Sequence, residues 1–283
     1  PYAVNLIVHP SNPRLQADLA ICIEHRVPIV ITSLGASKEV VDAVHAYGGL
    51  VIADVISVGL AKKAVAAGAD GLACVCAGAG GHTGFLSPFA FVSAVREFFD
   101  GYVITGSPAS VNDDSLPWMG PLLDFIRAVD AARQPLIGLC FGHQAVARAL
   151  GGQVARNAAG WGMGTAVTHW QQARPWMQPA QSTTTLMAAH NEQVTRMPEG
   201  AECLGGSDFC PIGSMQIGQH IWTTQYHPEM PLVFMQALLG YLVDKLDNDT
   251  MARAHGSLQQ AADVPLFGQW MVHFFEHARK NQE

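Results

Sequence analysis

Short apolar runs rich in β-branched residues recur along the first hundred positions, at residues 4–9, 28–32, 50–55 and 71–76, and each gives way to a stretch with helical spacing. The order is βαβα. Ser37 and Ser57 stand where a helix N-cap belongs, and Gly48 and Gly68 stand where the chain leaves a helix. Strands apolar on both faces predict a parallel sheet covered by helices. A strand-helix period of about 20 to 25 residues suits a (β/α) barrel and an open doubly wound sheet equally.

From Tyr102 the pattern shifts. Residues 102–105 read as a strand, 107–117 as a polar loop, 119–132 as an amphipathic helix and 135–139 as a buried strand, with a helix over 144–150. After Gly151-Gly152 the text turns β-rich, with strands expected near Val154 and over 165–170, 185–189, 215–217 and 221–225; helices return over 232–246 and 264–280. Trp270, Phe274 and Phe275 have helical spacing and predict a packing face, inside the chain or at a contact between subunits. A domain boundary is expected at Asp100-Gly101, dividing the chain into 1–100 and 101–283.

With 49% hydrophobic and 14% charged residues in 283, the chain can bury one large core or two modest ones. Lys+Arg 16 against Asp+Glu 23 gives a formal charge of -7, without the basic excess that nucleic-acid binding needs. No apolar run approaches the roughly 20 residues of a membrane span, and no signal peptide opens the text. These features predict a cytoplasmic protein without nucleic-acid or membrane partners. The cysteines at 22, 74, 76, 140, 203 and 210 are too sparse for a disulfide framework and read as free thiols, with Cys74 and Cys76 a buried pair rather than a metal site.

One of these thiols sits in Gly138-Leu139-Cys140-Phe141-Gly142-His143-Gln144, where a buried strand becomes a helix. A tight strand-to-helix turn needs glycine on both flanks and lifts its central side chain clear of the sheet. At the helix N-terminus the dipole and unpaired N–H groups favour a thiolate and can hold an oxyanion. Cys140 is therefore a candidate nucleophile. His227-Pro228-Glu229, just beyond a strand, supplies a base and an orienting carboxylate two positions apart and so on one side of extended backbone. His143 lies one helical turn past Cys140 and is expected to be structural.

These segments, with Thr105-Gly106-Ser107-Pro108 and Gln225-Tyr226 ahead of His227, resemble the class I glutamine amidotransferases, in particular the amidotransferase domain of GMP synthase, from about Asp100 onward. The resemblance implies an open parallel-sheet, flavodoxin-like α/β domain that lacks its first strands. It implies a Cys140, His227 and Glu229 triad, and an oxyanion hole near Gly106 and Phe141. Gln144 would hold substrate, and His190 would bind it or support the loop. No cofactor is implied. The substrate would be glutamine or a γ-glutamyl compound, and an ammonia-accepting synthetase would be the partner.

The front text is similar to the nitronate monooxygenases, FMN-dependent (β/α)8 barrels, through Ala67-Gly68-Ala69-Asp70-Gly71 and Gly78-Ala79-Gly80-Gly81-His82-Thr83-Gly84. It implies a partial barrel of about four βα units with a flavin-site remnant at Gly80, Gly81 and His82, His82 being the base. Two alternatives to amide hydrolysis follow: an FMN-dependent oxidoreductase, and a fusion of two truncated genes, signalled by Pro1, in which neither site assembles.

Overall fold

A computed structural model describes residues 3–74 and 101–281, and the chain divides into two units, Pro1–Asp100 and Gly101–Glu283. In the first, β1 (Ala3–Ile7), α1 (Leu15–Glu24), β2 (Ile29–Ser33), α2 (Lys38–His45), β3 (Leu50–Val55), α3 (Val58–Ala66) and β4 (Gly71–Cys74) alternate. The four strands are parallel and lie in the order β1-β2-β3-β4, as consecutive βα units do. Ser37 and Ser57 cap α2 and α3 by accepting from Val40 N and Leu60 N, both at 3.3 Å. Gly48 and Gly68 take φ +83° and +93°, so both glycines serve the backbone as the sequence predicts. Val30, Val44 and Val51 are fully buried between sheet and helices.

The second unit holds β5 (Tyr102–Ile104), α4 (Met119–Ala131), β6 (Leu136–Leu139), α5 (Phe141–Ala149), β7 (Gln153–Arg156), β8 (Gly162–Trp170), β9 (Thr183–His190), β10 (Glu192–Arg196), β11 (Ala201–Gly206), β12 (Ser214–Ile217) and β13 (Ile221–Thr224). It ends with α6 (Leu232–Tyr241), α7 (Asn248–Ser257) and α8 (Val264–Lys280). Seven strands form one sheet in the order β5-β6-β13-β12-β11-β8-β9, and β10 pairs with β7 separately.

The expectation of an open parallel sheet holds only for β5, β6 and β13; the joins from β13 through β12, β11 and β8 to β9 are antiparallel. The connections explain the change. Short links join β11 to β12 and β12 to β13, and parallel neighbours need a crossover of a dozen or more residues.

Successive residues of β6 point to opposite faces. Leu136 packs with Ile126, Val129 and Val146 of α4 and α5. Ile137 packs with Trp222 and with Phe267, Trp270 and Phe274 of α8. The aromatic face of α8 is thus spent inside the unit: the Trp222 and Phe267 rings stack at 4.8 Å, and Trp176 meets Phe274 edge-on at 5.5 Å. Burying each such side chain stabilises the fold by roughly 1.5–3 kcal/mol. The helix expected over 232–246 ends earlier, at Tyr241, and α7 is a further helix beyond that span, started by Asp247, whose side chain accepts from Thr250 N at 2.8 Å. Among the described residues no helix is long and apolar enough to cross a membrane.

Candidate active site

β6 is wholly buried and carries the chain straight into Cys140, which takes φ +50° and ψ −101° before α5 begins. A side-chain-bearing residue rarely holds positive φ, and here the surroundings impose it. A Cβ on Gly138 would lie 2.7 Å from the carbonyl of Gly142 and 2.9 Å from Thr223 Cγ2; one on Gly142 would run into the backbone carbonyl of Ile104. The two glycines therefore let strand, turn and helix approach at backbone distance. The helix starts at Phe141 rather than near Gln144, because its glycine-containing first turn is held by packing rather than by a capping side chain. Cys140 is 6% exposed at the positive end of α5, beside first-turn N–H groups that the helix cannot satisfy itself.

β13 runs parallel to β6 with Thr224 opposite Leu139, so Gln225 follows beside Cys140. Two residues on, His227 N donates to Met187 O at 2.8 Å and anchors the segment to β9. The imidazole is 4% exposed. Its Nδ1 hydrogen-bonds Glu229 Oε1 at 2.7 Å, and the Glu229 side chain is 46% exposed. Nε2 is buried and has no hydrogen-bond partner of ordinary geometry, and Cys140 and Glu229 are the side chains that act electrostatically on the ring. Burial works against a charge on His227, but the approach of Cys140 and Glu229 outweighs it and raises its pKa to about 10. A basic imidazole beside a thiol favours the thiolate-imidazolium form.

Gly106 lies just past β5. A Cβ there would stand 2.8 Å from His227 Cε1 and 3.8 Å from Cys140 Cβ. The structure thus brings Gly106, Cys140, Phe141, His227 and Glu229 together. Gln144 is buried beside them with its Nε2 donating to Glu192 O at 2.7 Å and to Gln225 Oε1 at 3.2 Å. His190, the last residue of β9, is 4% exposed, with both ring nitrogens buried and unpartnered and its ring edge-on to Phe209 and Tyr226. Burial, helped by His227 and His143, lowers its pKa to about 3 and keeps it neutral. His143 Nδ1 pairs with Thr223 Oγ1 at 2.7 Å and Nε2 with Ile212 O at 3.1 Å, so both nitrogens are engaged away from the thiol. Burial holds its pKa near 4.

Gly80, Gly81 and His82, the flavin-site remnant, lie outside the described residues, as do the side chains of Cys74 and Cys76. Cys203 and Cys210 are free thiols, and burial pushes Cys210 up to about 12. Sequence reasoning missed Gln225, whose Nε2 lies 3.6 Å from Cys140 Sγ, and Glu192, whose Oε2 accepts from Ser110 Oγ at 2.8 Å in the loop after Gly106.

Curated relatives share this segment. The chain is 29% identical to γ-glutamyl peptidase 3 of Arabidopsis thaliana over 156 residues, which are 53% of this chain and 61% of that protein. It is 29% identical to the glutamine-hydrolyzing GMP synthase of Trichormus variabilis over 131 residues, 46% of this chain and 23% of that one. The chain thus spans less than two thirds of the length of these relatives. Among solved structures, a glutamine amidotransferase from Methylobacillus flagellatus superposes with TM-score 0.51 at 26% identity, covering 62% of this chain and 74% of that one. A glutamine amidotransferase from Thermotoga maritima shares the fold at TM-score 0.52 and 17% identity, covering 64% of this chain and 79% of its own. The family described as glutamine amidotransferase class-I matches residues 89–234, just over half of the chain, and that stretch contains every residue of the constellation above. The chain belongs to the class I glutamine amidotransferase family.

Proposed function

We propose that the chain hydrolyses the side-chain amide of glutamine or of a γ-glutamyl compound through a glutamyl thioester on Cys140. The observation that carries this reading is the buried His227, held by Glu229 at 2.7 Å and coupled to Cys140 at the strained turn. The Cys140 thiolate attacks the γ-carbonyl carbon; a C–S bond forms and the carbonyl electrons move to oxygen. Backbone N–H groups at Gly106 and Phe141 receive that oxyanion. As the C–N bond breaks, His227 protonates the departing nitrogen, which leaves as ammonia from glutamine or as an amine from a γ-glutamyl conjugate. His227 then takes a proton from water, the hydroxide attacks the thioester, and glutamate leaves as the thiolate is restored. Glu229 keeps the imidazole oriented and balances its charge. Water is the co-substrate, and ammonia from glutamine would pass to solvent or to a partner synthetase.

The similarity to both γ-glutamyl peptidases and GMP synthase supports the two substrate types equally. The test is glutamate release from glutamine and from a γ-glutamyl dipeptide, with Cys140→Ala as control. Release from at least one substrate, abolished by the substitution, is expected. Activity that survives Cys140→Ala contradicts the assignment.

A further inference from the structure

Gln225 is wholly buried, with its Nε2 donating to Cys140 Sγ at 3.6 Å and its Oε1 accepting from Gln144 Nε2 at 3.2 Å. The orientation of this amide is dictated by its neighbours. Gln144 Nε2 also donates to the backbone carbonyl of Glu192 at 2.7 Å. A carbonyl only accepts, so the Gln144 atom at that place is its nitrogen. That nitrogen requires an acceptor from Gln225, which leaves the amino group of Gln225 facing the sulfur. A hydrogen bond to an anionic acceptor is roughly twice as strong as one to a neutral partner, so a fixed N–H donor selects the thiolate.

We propose that Gln225 is a further catalytic residue, whose carboxamide N–H holds the Cys140 sulfur as a thiolate, and that Gln144 positions it from the Glu192 carbonyl. This rests on Cys140 being the nucleophile of the amide hydrolysis above. The same donor serves twice: it holds the attacking sulfur, and it receives the sulfur again when the thioester breaks. It also gives Gln144 a duty apart from substrate, since its amide nitrogen is committed to two protein acceptors.

The test needs no substrate. The full chain is treated with iodoacetamide at neutral pH, and the rates of modification at Cys140 and at the partly exposed Cys203 are read by peptide mass spectrometry in wild type, Gln225→Leu and the near-isosteric Gln225→Glu. The Cys140 rate is expected to fall about tenfold or more in both variants, as for loss of a hydrogen bond to a charged group, with the Cys203 rate unchanged. The kcat for the amide substrate is expected to fall in parallel, with KM within about twofold. A Cys140 rate within about twofold of wild type in a variant that keeps the native tryptophan fluorescence overturns the proposal, and Gln225→Glu decides where Gln225→Leu does not fold. A wild-type chain that hydrolyses neither substrate overturns the proposed function instead, and the alkylation rates still report on the N–H···S bond.

Discussion

Gly106 stands so close to His227 that a Cβ on it would fall 2.8 Å from the imidazole Cε1. The ring cannot retreat freely, because Glu229 holds its Nδ1 and the His227 backbone is pinned to Met187. Gly106→Ala must therefore move either the base or the loop that presents the Gly106 N–H. Misplacement near an ångström at reacting groups lowers rates by up to about 100-fold. A fall in kcat/KM of at least about tenfold is expected, with little change in the urea midpoint. Wild-type kinetics in this variant would show that Gly106 lies off the reaction path.

Glu229→Gln keeps the shape of the His227 partner and removes its charge. Glu229 is among the groups that raise His227, so its loss lowers the imidazole pKa and weakens the thiolate-imidazolium form. Because the carboxylate is half exposed, solvent screens part of its effect. A loss in kcat of about 10- to 100-fold with KM nearly unchanged is expected in steady-state kinetics, smaller than the loss in Cys140→Ala. Equal losses in the two variants would mean that Glu229 does more than orient and balance the imidazole.

Gly142→Ala sets a methyl group against the Ile104 carbonyl, and a backbone group cannot swing aside as a side chain can. Overpacking of this kind destabilises by about 1–3 kcal/mol, occasionally more, and the upper end is expected. All six tryptophans lie between residues 118 and 270, so their fluorescence reports on the second unit alone. A urea titration followed by that signal should show the loss. A midpoint equal to wild type would mean that the approach of β5 to α5 is looser than described.

Acid should weaken the second unit before its carboxylates titrate. His143 and His190 are buried neutral, with pKa lowered to about 4 and about 3, whereas the unfolded chain takes up protons near 6.5. Their contribution is therefore complete above about pH 6.5 and is lost as pH falls toward 4 and then 3, on the order of 3 kcal/mol for His143 and about 5 kcal/mol for His190. The urea midpoint should drop between pH 6.5 and 5, below the range in which the raised His227 adds stability on acidification, and His190→Gln should flatten that dependence. A midpoint independent of pH over this range would contradict the burial of these rings.

The arrangement of Cys140, His227 and Glu229 was legible because its determinants are local: glycine on both sides of the cysteine forces a strand-to-helix turn, and a histidine two residues before a carboxylate shares its side of the backbone. The N-caps at Ser37 and Ser57 and the positive φ of Gly48 and Gly68 were legible for the same reason. β10 and β11 were not, because Glu192-Gln193-Val194-Thr195-Arg196 has little apolar alternation and β11 ends in two glycines; pairing with β7 and β12 makes them strands. Gln225 stood in the motif without a role, since only the register of β13 on β6 sets it beside the sulfur. The antiparallel half of the large sheet likewise follows from pairing order, which local propensity does not encode.

The proposed chemistry rests on attack by Cys140 at a γ-glutamyl carbonyl. It is tested most directly by incubating the full chain with an electrophilic glutamine analogue and locating the adduct by peptide mass spectrometry. A single label on Cys140 is expected, suppressed by excess glutamine or γ-glutamyl dipeptide and absent in Cys140→Ser. A label on Cys22, Cys203 or Cys210 instead, or labelling of Cys140 that neither competitor slows, would contradict it.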